Sequence, residues 1–173
     1  MKVFSILLIF SLLTSCTIKQ KQLDYYLSTG IENIKIFPAN KEDSLKINSM
    51  NITANKSYEE CRKLQNQSCI DDRGNMILYA IFLEGISNFR MVLFNNFKLP
   101  KNALEGENRI RITVGINNTI ENIEILKYTD ENTLKAIQDV FKIKELNTWK
   151  SARIYNIPVK EQFEISVFVI HKY

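Results

Sequence analysis

Across residues 109–116 the apolar side chains Ile110, Ile112, Val114 and Ile116 alternate with Arg109, Arg111, Thr113 and Gly115. A period of two belongs to a strand with one buried and one wetted face, and no helix reproduces it. Asn117-Asn118 follows, a pair that tolerates the positive φ a tight hairpin demands. Residues 120–127 read as the return strand. The chain ends on a second alternation, Phe163, Ile165, Val167 and Val169 against Glu164, Ser166 and Phe168.

Helices are expected on either side of the hairpin. Ile86, Phe89, Leu93 and Phe97 recur at steps of three and four, which places them on one helical face. Leu99-Pro100 ends that helix, because the residue before proline is pushed out of helical geometry. After the hairpin, Thr129 and Asp130 are N-cap candidates, and the Asp130-Glu131 pair suits the positive end of a helix dipole. Leu134, Ile137 and Phe141 supply the apolar stripe of that second helix. Residues 76–83 form an apolar run before Glu84-Gly85, expected as a buried strand or a hydrophobic lead-in. A turn is expected at Asn156-Ile157-Pro158. The fold class is α+β.

The N-terminus carries a different kind of signal. Lys2 precedes an apolar run over residues 3–13 broken only by Ser5 and Ser11, a secretory signal too short to span a bilayer. It closes on Leu13-Thr14-Ser15-Cys16, which resembles the lipobox of bacterial lipoproteins. The resemblance implies cleavage after residue 15 and lipidation of Cys16, whose acyl chains anchor the mature chain to a membrane without spanning it. Thr17, where an aspartate would retain such a protein at the inner membrane, favours the outer membrane, with the folded part facing the periplasm.

Loss of residues 1–15 removes one lysine and no acid, so the formal charge falls from +4 to +3. Basic residues are interleaved with acidic ones, so the stripe that nucleic acid requires is missing and no nucleic acid is expected as a partner. Two further cysteines, Cys61 and Cys69, sit eight residues apart. In an oxidising compartment a disulfide is the favoured reading; a metal pair lacks the Cys-x-x-Cys spacing and a nearby histidine. Residues 16–57 are rich in Lys, Asn, Ser and Thr and read as a tether and N-terminal extension, with residues 31–37 able to pair as a strand. The division is therefore 1–15 signal, 16–57 tether and extension, 58–84 extension packing on the domain, and 85–173 the domain. The Asn-x-Ser/Thr triplets at Asn51, Asn55 and Asn66 are chance in an Asn-rich chain.

Residues 85–170 resemble the C-terminal domain of TonB, the periplasmic part of an energy transducer that contacts outer-membrane receptors. The resemblance rests on the helix stopped by Leu99-Pro100, the strand ending Thr113-Val114, and the run Asn118-Thr119-Ile120-Glu121-Asn122-Ile123-Glu124-Ile125-Leu126-Lys127. Leu134, Ala136 and Ile137, then Trp149-Lys150, then Asn156-x-Pro158-Val159 continue it. Asn118 and Asn156 replace the family's turn glycines, Ser151 a common proline and Leu99 a common tyrosine. The resemblance implies a helix followed by strand, strand, helix and strand, a three-stranded antiparallel sheet, and Trp149 as a packing residue. It also implies that Phe163, Glu164, Ile165, Ser166, Val167, Phe168, Val169 and Ile170 form an edge strand open to an extended peptide. The alternative is that residues 31–60 or a second copy of the domain cover that edge. The prolines number three, at 38, 100 and 158, so the transducer's proline-rich spacer has no counterpart.

Catalytic constellations are not apparent. The single histidine, His171, lies past the last alternation, and the five glycines form no phosphate loop. Asp71-Asp72-Arg73-Gly74-Asn75 lacks the ligand spacing of a calcium loop and reads as a solvated turn. No cofactor and no metal are expected. The favoured function is a non-enzymatic envelope lipoprotein that binds a protein or peptide, with an accessory to TonB-dependent transport and an unrecognised envelope enzyme as alternatives; a homodimer is compatible with each. The lipobox generates a direct test. Cys16→Ser should leave an unlipidated chain that no longer partitions into detergent, whereas identical fractionation of the two proteins would exclude lipidation.

Overall fold

The computed structural model describes residues 22–64, 68–71 and 76–172. Cys16 and residues 72–75 lie outside them. The element order is β1 (Gln22–Leu27), β2 (Glu32–Pro38), α1 (Lys41–Arg62), β3 (Ile77–Leu78), β4 (Ile81–Phe82), α2 (Ile86–Asn96), β5 (Gly106–Val114), β6 (Ile120–Lys127), α3 (Glu131–Val140), β7 (Trp149–Lys150), β8 (Ala152–Ile154) and β9 (Ile157–Lys172). The fold is mixed α+β with antiparallel sheets.

Strand β9 is the spine. One of its sides pairs with β5, in register Ile110↔Ile165 and Ile112↔Phe163, and then with β8 through a two-residue turn at Tyr155-Asn156. Both turn residues have positive φ, 49° and 65°, as a tight hairpin requires. Beyond β5 lies β6, and beyond β8 lies β3. The hairpin between β5 and β6 uses positive φ at Asn118 alone of the expected Asn pair, and Gly115 N–H closes it on the Thr119 carbonyl at 2.8 Å.

The other side of β9 departs from expectation. Residues 163–170 are not an open edge: β1 pairs with it from Leu27↔Val167 to Gln22↔Lys172, and β2 from Glu32↔Glu164 to Pro38↔Val159. Between the two strands Ser28 continues the ladder, its N–H donating to the Ser166 carbonyl at 2.9 Å and its Oγ accepting from Ser166 N–H at 3.2 Å. Ser166, expected on an exposed face, is buried and donates its hydroxyl to Glu107 at 2.8 Å. The physical reason is burial. Tyr25 and Leu27 of β1 stand on the apolar side of the sheet, and Tyr25 donates its hydroxyl to the Phe94 and Phe97 carbonyls at the end of α2. Pairing with β9 satisfies their backbone groups as those side chains leave water. The sheet consequently has seven strands rather than three: residues 22–27 and 32–38 are strands of it, the second overlapping the run 31–37 expected to pair and supplying part of the cover that residues 31–60 offered as the alternative to an open edge.

Apolar side chains of β5 and β9 face the core on one side of the sheet: Ile110, Ile112, Val114, Phe163, Ile165, Val167 and Val169 are at most 1% exposed. Helix α2 contributes Phe89 and Leu93, and α3 contributes Ile137 and Val140. Leu134 lies off the buried face of α3, whose centre is Thr133, Ile137 and Val140. Asp130 is the N-cap, its carboxylate accepting from the N–H groups of Asn132 and Thr133. Burial raises its pKa, but hydrogen bonds from Leu104, Thr133 and Thr129 outweigh that and hold it at about 2. Helix α1 is capped by Asn40, buries Ile47 against Ala152 and Val159, and leaves most of its length in water. The run over residues 76–83 makes two short strands, and of its large apolar residues only Phe82 is buried.

Trp149 sits among Phe82, Phe89 and Phe163 at ring separations of 5.2, 5.2 and 5.6 Å, and its indole N–H donates to the Leu146 carbonyl at 2.9 Å. Truncating it removes a ring packed on both Phe89 of α2 and Phe163 of β9, which meet each other only edge-on at 6.0 Å. Trp149→Ala should therefore destabilise the domain by roughly 3–5 kcal/mol in a denaturant melt, a loss that an exposed tryptophan would not produce.

Candidate functional site

The alternation of β9 contains one charged residue on its buried side. Glu161 is in phase with Val159 and Phe163, and only 2% of it is exposed. Its Oε2 accepts from the Ala80 N–H at 2.6 Å, in the link between β3 and β4. No lysine, arginine or histidine forms an ion pair with it among the described residues. Burial pushes its pKa up, and the single backbone hydrogen bond only partly opposes that.

Glu161 lines a cleft of about 280 Å³. The walls come from four parts of the chain: Ile31 and Ile34 at β2, Tyr79 to Phe82 at β4, Gly85 and Ile86 at the start of α2, and Trp149 of β7. The small sheet β4–β7, with Phe82 opposite Trp149, holds two of those walls together. Gly85 caps α2 at φ 90°, a conformation that favours glycine and turns the chain sharply at the mouth. Ile34, Tyr79 and Ile81 are each 44–56% exposed around the cleft. Exposed apolar side chains beside an enclosed carboxyl are the surroundings in which small ligands bind.

The opposite face of the sheet is charged and satisfied. Asn33 of β2 donates to Glu164 of β9 at 2.7 Å, Arg111 of β5 reaches the same carboxylate at 2.8 Å and Glu124 of β6 at 2.9 Å. Alongside, Glu107 is gripped first by Arg109 at 2.7 Å, then by Ser166 and Lys127, which holds its pKa at about 2. That face is a polar ladder, largely buried along β9, whose carboxylates already have partners.

The remaining expected residues are dispersed. Cys61 and Cys69 are joined in a disulfide with Cα atoms 5.9 Å apart, tying the end of α1 to the following loop. His171 ends β9 opposite Leu23; its N–H donates to Glu105 at 2.7 Å, and its Nδ1 is buried without a hydrogen-bond partner. Among the described residues no group of three or more His, Cys, Asp or Glu side chains could hold a metal ion, and no helix is long and apolar enough to cross a membrane. Glu161 lies outside the alternation that the sequence shows from Phe163 onward. The signal was present in the phase of Val159, Glu161 and Phe163.

Comparison of the chain with models of known protein families, with curated proteins and with solved structures finds no match.

Glu161→Gln tests the burial directly. A carboxyl whose folded pKa is raised contributes stability below its unfolded value near 4.5 and loses it as pH rises through the folded value. Glutamine keeps an acceptor for Ala80 N–H and does not titrate. The stability of wild type relative to Glu161→Gln should therefore be greatest below about pH 4.5 and fall as the pH rises above it, levelling once the carboxyl is ionised; parallel pH profiles of the two melting temperatures would show that Glu161 is solvated.

Proposed function

We propose that this chain is a lipid-anchored protein of the bacterial cell envelope that binds a protein or peptide partner and catalyses no reaction, with the free side of β6 as the strand that an extended peptide continues. The single observation that carries the reading is that β6, eight residues long, pairs with β5 alone among the described strands. Beyond Ile120, whose N–H already donates to Asn147 Oδ1 at 2.6 Å, that edge offers N–H and C=O groups that a peptide backbone can take up. The edge first expected, residues 163–170, is already filled by β1 and β2, so the docking strand moves to the opposite margin of the sheet.

The order β5, β6, α3, β9, with β9 beside β5, supports a TonB C-terminal-like domain. On that reading the partner is an envelope protein or peptide, a TonB-dependent receptor among the candidates. The lipobox-like run ending at Cys16 supports the anchor, and Thr17 after it supports the outer-membrane location.

Ladder geometry selects the test. Gly115 N–H points across the hairpin to Thr119, so the N–H groups of Thr113 and Arg111 point the same way, toward their partners Asn122 and Glu124. The N–H groups of Ile123 and Ile125 then face the open side. Ile125→Ala and Ile125→Pro both lose the side chain, and only the proline loses the outward donor. In pull-downs from detergent-solubilised envelopes the alanine variant should recover the wild-type partner and the proline variant should lose it. A folded proline variant, verified by circular dichroism, that captures the same partner at full yield would refute docking on β6.

A further inference from the structure

We propose that the cleft beside Glu161 is a binding site for a small apolar primary amine, with the ammonium group against the Glu161 carboxylate and the hydrocarbon body against Ile31, Ile34, Ile81 and Trp149. No residue of β6 lines the cleft, so this site and the β6 edge stand or fall separately.

Charge selects the head group. The carboxylate is the one charged side chain lining the cleft, it receives the Ala80 N–H on Oε2, and no cation of the chain pairs with it among the described residues. An anionic ligand would be repelled by the ionised carboxyl and would meet no cation in the lining. A neutral hydrocarbon would fill the walls and give the carboxyl nothing. An ammonium group supplies both a charge-assisted hydrogen bond and the missing counter-charge. Burying an ion pair is ordinarily opposed by the desolvation of both partners; the fold has already taken the Glu161 carboxyl out of water, so binding has to offset the ligand's own desolvation and the ionisation that burial disfavours at Glu161.

Shape and wall chemistry select the body. About 280 Å³ is below the usual range for drug-sized ligands and suits a molecule of on the order of ten heavy atoms. Its walls are isoleucine, alanine, tyrosine, phenylalanine and tryptophan side chains. The raised pKa of Glu161 fits the same picture, since a bound ammonium would draw the proton off and make affinity rise with pH until the carboxyl is ionised.

Trp149 is the only tryptophan in the chain and lines the cleft, so its fluorescence reports occupancy. The probes are n-hexylamine, protonated at neutral pH, and 1-hexanol, matched in length and uncharged. Titrated into the wild-type protein at pH 8, n-hexylamine should give a saturable change at least about tenfold tighter than 1-hexanol, the minimum expected of a charge-assisted hydrogen bond. In Glu161→Gln, whose fold is checked by circular dichroism, the preference should shrink to about twofold or less. The proposal is overturned if wild type shows no saturable response to n-hexylamine, if it binds the amine and the alcohol alike, or if folded Glu161→Gln keeps the tenfold preference.

Discussion

Both sides of β9 are hydrogen-bonded over most of its 16 residues, and that saturation governs what the remainder of the chain can do. A strand paired on one side offers a docking edge; a strand paired on both becomes an interior wall. Closing the second side takes two strands because the partner chain breaks at residues 28–31, where Ser28 bridges with its hydroxyl and backbone. Arg90 of α2 donates to the Ser28 carbonyl at 2.5 Å, so the break is held from the helical layer as well. The N-terminal segment thereby does intramolecularly what an added peptide would do, and binding by strand addition is left to the outer margins of the sheet.

The central part of this arrangement was legible in the sequence, for a physical reason. Where one face of a strand is buried and the other wetted, alternation records the burial residue by residue, and Ile110, Ile112, Val114 and the odd positions of β9 show it without interruption. Helix α2 was equally plain because Phe89 and Leu93 are fully buried at a helical step. The N-terminal strands were harder. In β1 the inward residues Tyr25 and Leu27 are separated by Tyr26, which stacks on Phe168 at 4.9 Å on the other face, so the polar half of the alternation is masked by a second aromatic. In β2 a bulge at Asn33, with φ 52°, shifts the phase midway. Helix α1 buries a single large residue, Ile47, and a helix that faces water nearly all round leaves little apolar periodicity to read. What it does leave is its cap: Asn40 bonds Asp43, and two acids occupy the first turn.

Two carboxylates three residues apart in β9 show how the faces of the sheet divide chemistry. Glu164 is 5% exposed and Glu161 2%, so burial alone does not separate them. Burial raises the pKa of both, but at Glu164 hydrogen bonds from Asn33 and Arg111 reverse the shift, whereas at Glu161 the Ala80 N–H does not. The Glu164 carboxylate is one link in a relay that crosses β2, β9, β5 and β6, and its role is complete within the fold.

Glu161 stands in a different position because of what packs over it. In the sheet it lies between Val114 of β5 and Ile36 of β2, and the layer above this point comes from the short β4–β7 sheet and the start of α2. Short elements leave a gap, and the gap is the cleft. An apolar residue at 161 would remove the desolvation penalty of the carboxyl and continue the alternation of Val159, Phe163 and Ile165. The residue found there instead combines a penalty to stability with an opening beside it, a combination that a ligand bearing a positive charge can turn into binding free energy.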